Sequence, residues 1–383
     1  MSPVRLALAS SMLFCVVACD GGSSVPLDAG TSPDGASVDA LDPPTDAPSP
    51  PDAAPRGDAG PQPAFDVPRD RVWHYQEVPG AVCANGTPLG IALNLDPTSD
   101  RLVLFLQGGG GCWSSTTCIL LRTAAHLEDT LDEATVLGEA ETAGGFVLDR
   151  DDAENPFRDQ SFVYVPYCTA DVHVGDASTT YRTPRTTRTI EHRGAANTER
   201  ILARLASTFP ALDRLTMVGI SAGGYGVAVN AFRARIAFPR ARVDVLDDSG
   251  LPIDADPDQW AEMMESWRPP LPADCPDCMR GFTALIPYYG RTMPAGARFG
   301  VLGFRMDGTI GTYFSYSGAE IATALDASVE AMGTYADQRA FVVNGDDHVL
   351  LTRPDLATTT GVTVRAWVQS FATDDPAWAT VGP

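Results

Sequence analysis

Residues 214–226 read RLTMVGISAGGYG and combine a strand pattern, a tight turn and the beginning of a helix pattern. Residues 214–218 are mostly apolar, glycines flank Ser221 two residues away on each side, and a helical pattern begins at Tyr225. A nucleophilic serine on a sharp strand-to-helix turn needs neighbours without bulk. The stretch therefore predicts a nucleophile elbow with Ser221 at its tip, in preference to an ordinary glycine-rich turn.

Strand and helix patterns alternate along the rest of the chain. Continuous apolar runs predict strands that are buried on both faces, as in parallel sheets. They cover residues 101–106, 161–165, 242–246, 299–304 and 340–343, and helical patterns cover residues 197–209, 225–238 and 321–335. This alternation predicts an α/β fold, α/β-hydrolase-like, with a mostly parallel, doubly wound sheet and helices on both faces.

The partners of Ser221 follow from chain order, because this fold class places the acid and then the histidine after the serine. Of the five histidines only His348 comes after Ser221, in a loop that directly follows the last predicted strand. Asp247, Asp248 and Asp307 each follow a predicted strand. The acid normally occupies the later position, which favours Asp307, and Asp248 is the alternative.

Four consecutive glycines, residues 108–111, follow the first buried strand. Glycine lets successive N–H groups point toward one place without side chains in the way, and an ester transition state needs such donors for its oxyanion. Ala222, directly after the serine, offers a further N–H group. A phosphate-binding loop would continue into a helix that opens with Lys, whereas Cys112 follows here.

Several motifs together resemble one enzyme family. They are QGGGGCW (107–113) with Cys118, YCTAD (167–171) with HVG (173–175), HRG (192–194), GISAGG (219–224), DDSG (247–250) and DDH (346–348). In this order they resemble the pectin acetylesterase/Notum family of carboxylesterases. The resemblance implies an α/β-hydrolase fold. Ester hydrolysis by a nucleophilic serine needs no metal or organic cofactor. Residues 251–297 match too poorly for any substrate contact to be transferred.

The resemblance also implies roles for individual residues. It implies a catalytic triad of Ser221, Asp307 and His348. It implies oxyanion donors at Gly109, Gly110 and Ala222 and the disulfides Cys83–Cys168 and Cys112–Cys118.

The remaining cysteine pair, Cys275 and Cys278, has three possible interpretations. A zinc site needs four ligands, and the chain has no second Cys-x-x-Cys or His pair. A redox pair normally opens a helix, whereas Pro269, Pro270 and Pro272 indicate a loop. We therefore expect a structural disulfide.

The first 68 residues differ from the rest of the chain. Residues 1–19 have a charged start, a short apolar core and the sequence VVAC at 16–19, which resembles a bacterial lipoprotein signal with Cys19 as the lipidated residue. Simple secretion is the alternative. Residues 20–68 hold nine Asp and eleven Pro, a composition that predicts a disordered tether. We expect the esterase domain to cover residues 69–383.

Composition excludes other classes of protein. The formal net charge is −22, which argues against binding to nucleic acid or to anionic lipid.

The sequence predicts an exported serine carboxylesterase, a monomer held to a membrane only by an N-terminal lipid. It would remove short acyl groups, acetyl in the first place, from a polysaccharide through an acyl-enzyme on Ser221. The alternatives are a lipase-like deacylase of longer chains and a non-catalytic, carbohydrate-binding protein.

Overall fold

The structure is a computed structural model that describes residues 62–382 of the 383-residue chain. The expected signal segment at 1–19, the lipid site at Cys19 and the tether up to residue 61 lie outside the described residues.

A mixed sheet of eight strands forms the centre of the described chain. Its strands are β1 (His74–Val82), β2 (Pro88–Asn94), β3 (Arg101–Leu106), β4 (Ser161–Val165), β7 (Arg214–Ile220), β8 (Arg242–Asp248), β9 (Phe299–Phe304) and β10 (Gln338–Val343). Two further strands, β5 (Ala177–Arg182) and β6 (Thr187–His192), form a separate antiparallel hairpin. The strand order in the sheet is β1-β2-β4-β3-β7-β8-β9-β10.

Six neighbouring strands, from β4 to β10 in the sheet order, are parallel. Every residue of β4 and of β9 is buried, and in β3 only Arg101 is exposed. Strands covered on both faces read as continuous apolar runs, which is why the sequence predicts them. The predicted α/β-hydrolase-like fold class is confirmed.

The sequence does not predict one edge of the sheet, which consists of β1 and β2. These two strands pair antiparallel with each other, and β2 pairs antiparallel with β4. β1 is mostly exposed or half-buried and contains Pro79 and Gly80, so it lacks the apolar run of a central strand.

The helices of the described chain are α1 (Glu133–Ala140), α2 (Gly194–Thr208), α3 (Ala222–Ala237), α4 (Pro257–Trp267), α5 (Leu285–Thr292), α6 (Gly308–Phe314), α7 (Gly318–Met332) and α8 (Val364–Ala372). α3 packs on β3, β7 and β8, and α8 places Trp367 against Phe341 of β10. None of the helices described combines the length and apolarity that crossing a membrane requires.

Residues 62–68, which the sequence assigns to the disordered tether, pack onto the folded body. Phe65 is 5% exposed and belongs to the main apolar core. Its N–H donates to Thr208 Oγ1 at 2.9 Å, and the Arg204 guanidinium lies over its ring. Phe65 is the only aromatic residue between 20 and 68. Because this side chain packs into the core, the folded body begins a few residues before the expected boundary at residue 69.

Three disulfides join the six cysteines of the described chain. They are Cys83–Cys168, Cys112–Cys118 and Cys275–Cys278. Disulfides persist in oxidising compartments, so this set is consistent with export of the protein.

The candidate site residues lie together at the carboxyl ends of the parallel strands, because these ends meet on one side of the sheet. The glycine run follows β3, Ser221 follows β7, and Asp248 ends β8. Asp307 comes shortly after β9, and His348 comes shortly after β10.

Candidate active site

Ser221 occupies the single residue between β7 and α3. Its φ of 54° and ψ of −119° are a strained combination for a residue with a side chain, which costs on the order of 1–3 kcal/mol. The glycines around it are sterically required. A Cβ on Gly219 would lie 2.1 Å from the Gly223 carbonyl oxygen, and one on Gly223 would lie 1.9 Å from the Leu106 carbonyl oxygen. The predicted elbow geometry is therefore present.

Asp307 contacts the ring of His348. Its Oδ2 lies 2.7 Å from Nδ1 of His348. Its Oδ1 accepts the N–H groups of Thr309 and Ile310 at 3.0 and 2.9 Å and so caps the beginning of α6. The carboxylate is fully buried, while the His348 side chain is 18% exposed. One oxygen thus fixes the carboxylate, and the other orients the imidazole.

The second ring nitrogen of His348, Nε2, is buried and forms no hydrogen bond within residues 62–382. With Asp307 on Nδ1, the Nδ1–H tautomer leaves the lone pair of Nε2 free to accept a proton. An acceptor in this state is what a serine general base requires.

Asp248, the alternative acid, contacts the backbone of the histidine loop rather than the ring. Its Oδ2 accepts the N–H groups of Leu350 and Leu351 at 2.9 and 2.7 Å. Its carbonyl oxygen accepts the Ser221 N–H at 2.7 Å. Burial raises the pKa of Asp248 to about 6. This residue ties the elbow to the loop that carries His348.

Next to Asp248, Ser249 makes a second tie to the same loop. Its Oγ accepts the N–H of Val349 at 3.1 Å. Val349 has a φ of 66°, an unfavourable conformation for a β-branched residue. The loop after His348 is thus held in place by two consecutive side chains of the β8 end.

The glycine run packs directly against the elbow. A Cβ on Gly108 would lie 2.7 Å from the carbonyl oxygen of Ile220. Gly110 has a φ of 75°, and a Cβ there would lie 2.3 Å from the Thr123 carbonyl oxygen. Gly110 and Ala222 both line the cavity at Ser221, whereas Gly109 is not part of that lining. The oxyanion role of these three residues stays a prediction.

Buried polar residues support the glycine run from behind. Asp171 accepts N–H groups from His173, Gly175 and Gly194, and burial raises its pKa to about 6. His173 Nε2 lies 2.8 Å from the Gln107 carbonyl oxygen, and burial lowers the pKa of this histidine to about 4. These motif residues therefore have a structural role.

The cavity at Ser221, here called the serine cavity, is apolar and narrow. It is lined by Gly110, Gly111, Trp113, Val172, Ser221, Ala222, Tyr225, Met263, Phe282, Ile310, Tyr313 and Phe314. The space open to the centre of a water-sized sphere is about 30 Å³, enough to hold roughly two water molecules. Within the part of the chain that the structure describes, no charged side chain lines it.

The sequence prediction misses most of this lining. Met263 comes from α4, Phe282 from a short 3₁₀ turn, and Tyr313 and Phe314 from α6. The only available signal is the helical spacing of apolar residues in α4. That spacing identifies a buried face and not what the face lines.

Cys112, Cys118 and His192 are the side chains of the described chain that cluster most like a metal site. The two cysteines share a disulfide, so neither offers the thiolate that binds a metal. His192 Nε2 is engaged by the Tyr181 hydroxyl at 2.8 Å. The cluster therefore does not fit a metal ion.

Comparison with protein families gives a match to the Pectinacetylesterase model over residues 70–268. This range contains Ser221, the glycine run and Asp248. Asp307 and His348 lie beyond it.

Curated relatives match about half of the chain. The palmitoleoyl-protein carboxylesterase NOTUM of Homo sapiens is 28% identical over 45% of this chain and 34% of its own length. The Drosophila melanogaster protein of the same name is 27% identical over 50% of this chain and 31% of its own. The alignments thus span about a third of the length of these relatives.

Among solved structures, the Wnt deacylase Notum from Drosophila superimposes with a TM-score of 0.60. The alignment covers 79% of this chain and 94% of the other, with 19% sequence identity. At this identity the likeness concerns the fold.

Proposed function

The chain belongs to the pectinacetylesterase family, and from this premise we propose that it is an exported serine carboxylesterase that removes a short acyl group, acetyl, from a polysaccharide. Ser221, Asp307 and His348 form the proposed triad. Gly109, Gly110 and Ala222 supply the proposed oxyanion donors. The chemistry requires no metal or organic cofactor.

The proposed reaction proceeds through an acyl-enzyme. Ser221 Oγ attacks the ester carbonyl carbon while His348 Nε2 takes its proton. The N–H donors stabilise the oxyanion as the carbonyl oxygen becomes negative. The bond to the alcohol then breaks, and His348 returns the proton to the leaving oxygen. Water repeats the sequence on the acyl-enzyme, which releases the acid and regenerates Ser221.

The observation that carries this proposal is the contact of Asp307 with Nδ1 of His348, with Nε2 left unbonded. A serine in a strained elbow conformation stands at the same edge of the sheet. Strain of this kind persists where the surrounding structure enforces it, which is common at active sites. A protein that only binds carbohydrate would need none of these features, which disfavours the non-catalytic alternative.

The dimensions of the serine cavity favour a short acyl group over the longer chain of the lipase-like alternative. The space open to the centre of a water-sized sphere is about 30 Å³, which favours a group as small as acetyl. Trp113, Phe282 and Phe314 are each less than 10% exposed, so the lining consists of closely packed side chains.

We expect the protein to hydrolyse p-nitrophenyl acetate with a higher kcat/KM than the butyrate or octanoate ester. An apolar pocket discriminates by about 10- to 200-fold per methylene group. The same preparation should release acetate from acetylated plant or bacterial polysaccharide, which is measured by an enzymatic acetate assay. A preference for octanoyl esters, or for an acylated peptide, would support the lipase-like alternative instead.

We also propose that residues 1–19 are a lipoprotein signal, that the following segment is a tether, and that Cys19 anchors the protein to a membrane. The support is the sequence VVAC at 16–19 and the Asp- and Pro-rich composition that follows. Simple secretion remains the alternative.

Replacement of Cys19 by serine is expected to move the protein from the membrane fraction to the soluble fraction, because the thioether to the lipid cannot form. Fractionation of cells and mass spectrometry of the mature N-terminus measure this. Cys15→Ser is the matched control and should leave the distribution unchanged. A wild-type protein that is already soluble and begins at another residue would contradict the anchor.

A further inference from the structure

A second apolar cavity, here called the rear cavity, lies beyond the serine cavity. Among its lining residues are Val174, Val229, Trp260, Met264, Trp267 and Leu285. No charged side chain of the described residues lines it, and the space open to the centre of a water-sized sphere is about 10 Å³. It is therefore a small apolar gap in the packing next to the proposed active site.

The two cavities follow one another along the same elements. On α3, Tyr225 lines the serine cavity and Val229, one turn later, lines the rear cavity. On α4, Met263 and Met264 are divided between them in the same way. Among residues 62–382, Phe282 alone lines both. Its ring therefore stands between the two spaces.

The ring of Phe282 is fixed in this position. Its centroid lies 4.5 Å from that of Tyr225 and 4.9 Å from that of Trp260. Phe282 is only 5% exposed. A ring packed between two aromatic side chains has little freedom to swing away.

The backbone on either side of Phe282 is also held. Thr283 N–H donates to the Asp254 carboxylate at 2.8 Å. The Trp260 indole N–H donates to the Met279 carbonyl oxygen at 2.7 Å. The turn is thus tied to α4 and to the segment before it.

We infer that Phe282 is the residue that sets the acyl-chain length of this enzyme, by closing the serine cavity against the rear cavity. The inference rests on the proposed esterase function and adds the residue that limits its substrate class. Acetyl fits in front of the ring, while a chain of several methylene groups would need the space that the ring occupies. Removal of the ring would join two apolar cavities into one channel.

The test compares Phe282→Ala and Phe282→Leu with the wild-type protein on p-nitrophenyl acetate, butyrate and octanoate. We expect the ratio of kcat/KM for octanoate to that for acetate to rise at least about tenfold in Phe282→Ala, given the discrimination per methylene group. A smaller rise is expected in Phe282→Leu, which retains part of the bulk. Thermal unfolding of each variant establishes that it is folded, and Phe282→Leu serves if the alanine variant is not.

Phe314→Leu is the matched control, because Phe314 lines the serine cavity and not the rear cavity. It should enlarge the front space without opening the channel, so its octanoate-to-acetate ratio should stay within a few-fold of wild type. If the folded Phe282 variants hydrolyse acetate but change this ratio no more than Phe314→Leu does, Phe282 does not set the chain length. If the wild type shows no ester hydrolysis that depends on Ser221, the proposed function falls first, and this inference falls with it.

Discussion

Replacement of Ser221 by alanine is expected to abolish ester hydrolysis while the protein remains folded. The members of a catalytic triad act as a unit, so loss of the nucleophile should lower kcat by on the order of a million-fold. Alanine keeps the Cβ that already occupies the strained conformation. The Ser221 hydroxyl forms no hydrogen bond to any other described residue, so its removal leaves no buried group unpaired. Hydrolysis of p-nitrophenyl acetate and thermal unfolding measure the two quantities.

Ser178→Ala is the matched control for this experiment. Ser178 is exposed on the separate β5–β6 hairpin, where its hydroxyl donates to the half-buried Glu191 carboxylate. Its replacement should leave kcat unchanged. An alkyl phosphonate should label Ser221 and no other serine, as read by peptide mass spectrometry. Labelling at a different serine, or substantial activity in Ser221→Ala, would end the serine-esterase proposal.

The central sheet and the elbow are predictable because their physical requirements are local in sequence. A strand buried on both faces must be apolar along its length, so the runs at 101–106 and 161–165 coincide with β3 and β4. The close approach of Gly219 and Gly223 to neighbouring backbone atoms excludes any side chain there. A short sequence pattern can express such a requirement.

The cavity lining is not predictable in this way, because its residues come together only in the folded chain. Met263, Phe282 and Phe314 lie on three elements far apart in sequence, and each reads as an ordinary core residue. The same holds for Phe65, whose burial depends on Arg204 and Thr208 of α2. No spacing rule connects residues that meet through tertiary packing alone.

The triad acid can be predicted from the sequence only in part. Asp248 ends β8 and Asp307 comes shortly after β9, and the carboxyl ends of both strands lie on the side of the sheet that carries His348. Chain order alone leaves both open. The contacts separate them, because Asp307 lies on the imidazole Nδ1 while Asp248 holds the backbone of Leu350 and Leu351. The two carboxylates therefore have different consequences when each is replaced by its amide.

Asp307→Asn is expected to lower kcat by up to about ten-thousand-fold with little loss of stability. The amide oxygen can still accept the N–H groups of Thr309 and Ile310 and so keep the cap of α6. The amide nitrogen would then face Nδ1 of His348. A donor at that position favours the tautomer with the proton on Nε2, which cannot act as the base for Ser221.

Asp248→Asn is the matched contrast, and its cost should appear mainly as stability. Both carboxylate oxygens accept the N–H of Leu350, so the amide nitrogen would face that N–H in either orientation. An unsatisfied buried donor costs about 1–3 kcal/mol, so the melting temperature should fall. The ring of His348 keeps its contact with Asp307, and kcat should fall much less than in Asp307→Asn. Steady-state hydrolysis of p-nitrophenyl acetate, measured well below each melting temperature, separates the effect on kcat from the effect on stability.

A severe loss of kcat in Asp248→Asn together with a mild one in Asp307→Asn would move the triad acid to the end of β8. Such a result would still leave Ser221 and His348 as the nucleophile and the base, because Asp248 already ties the elbow to the histidine loop.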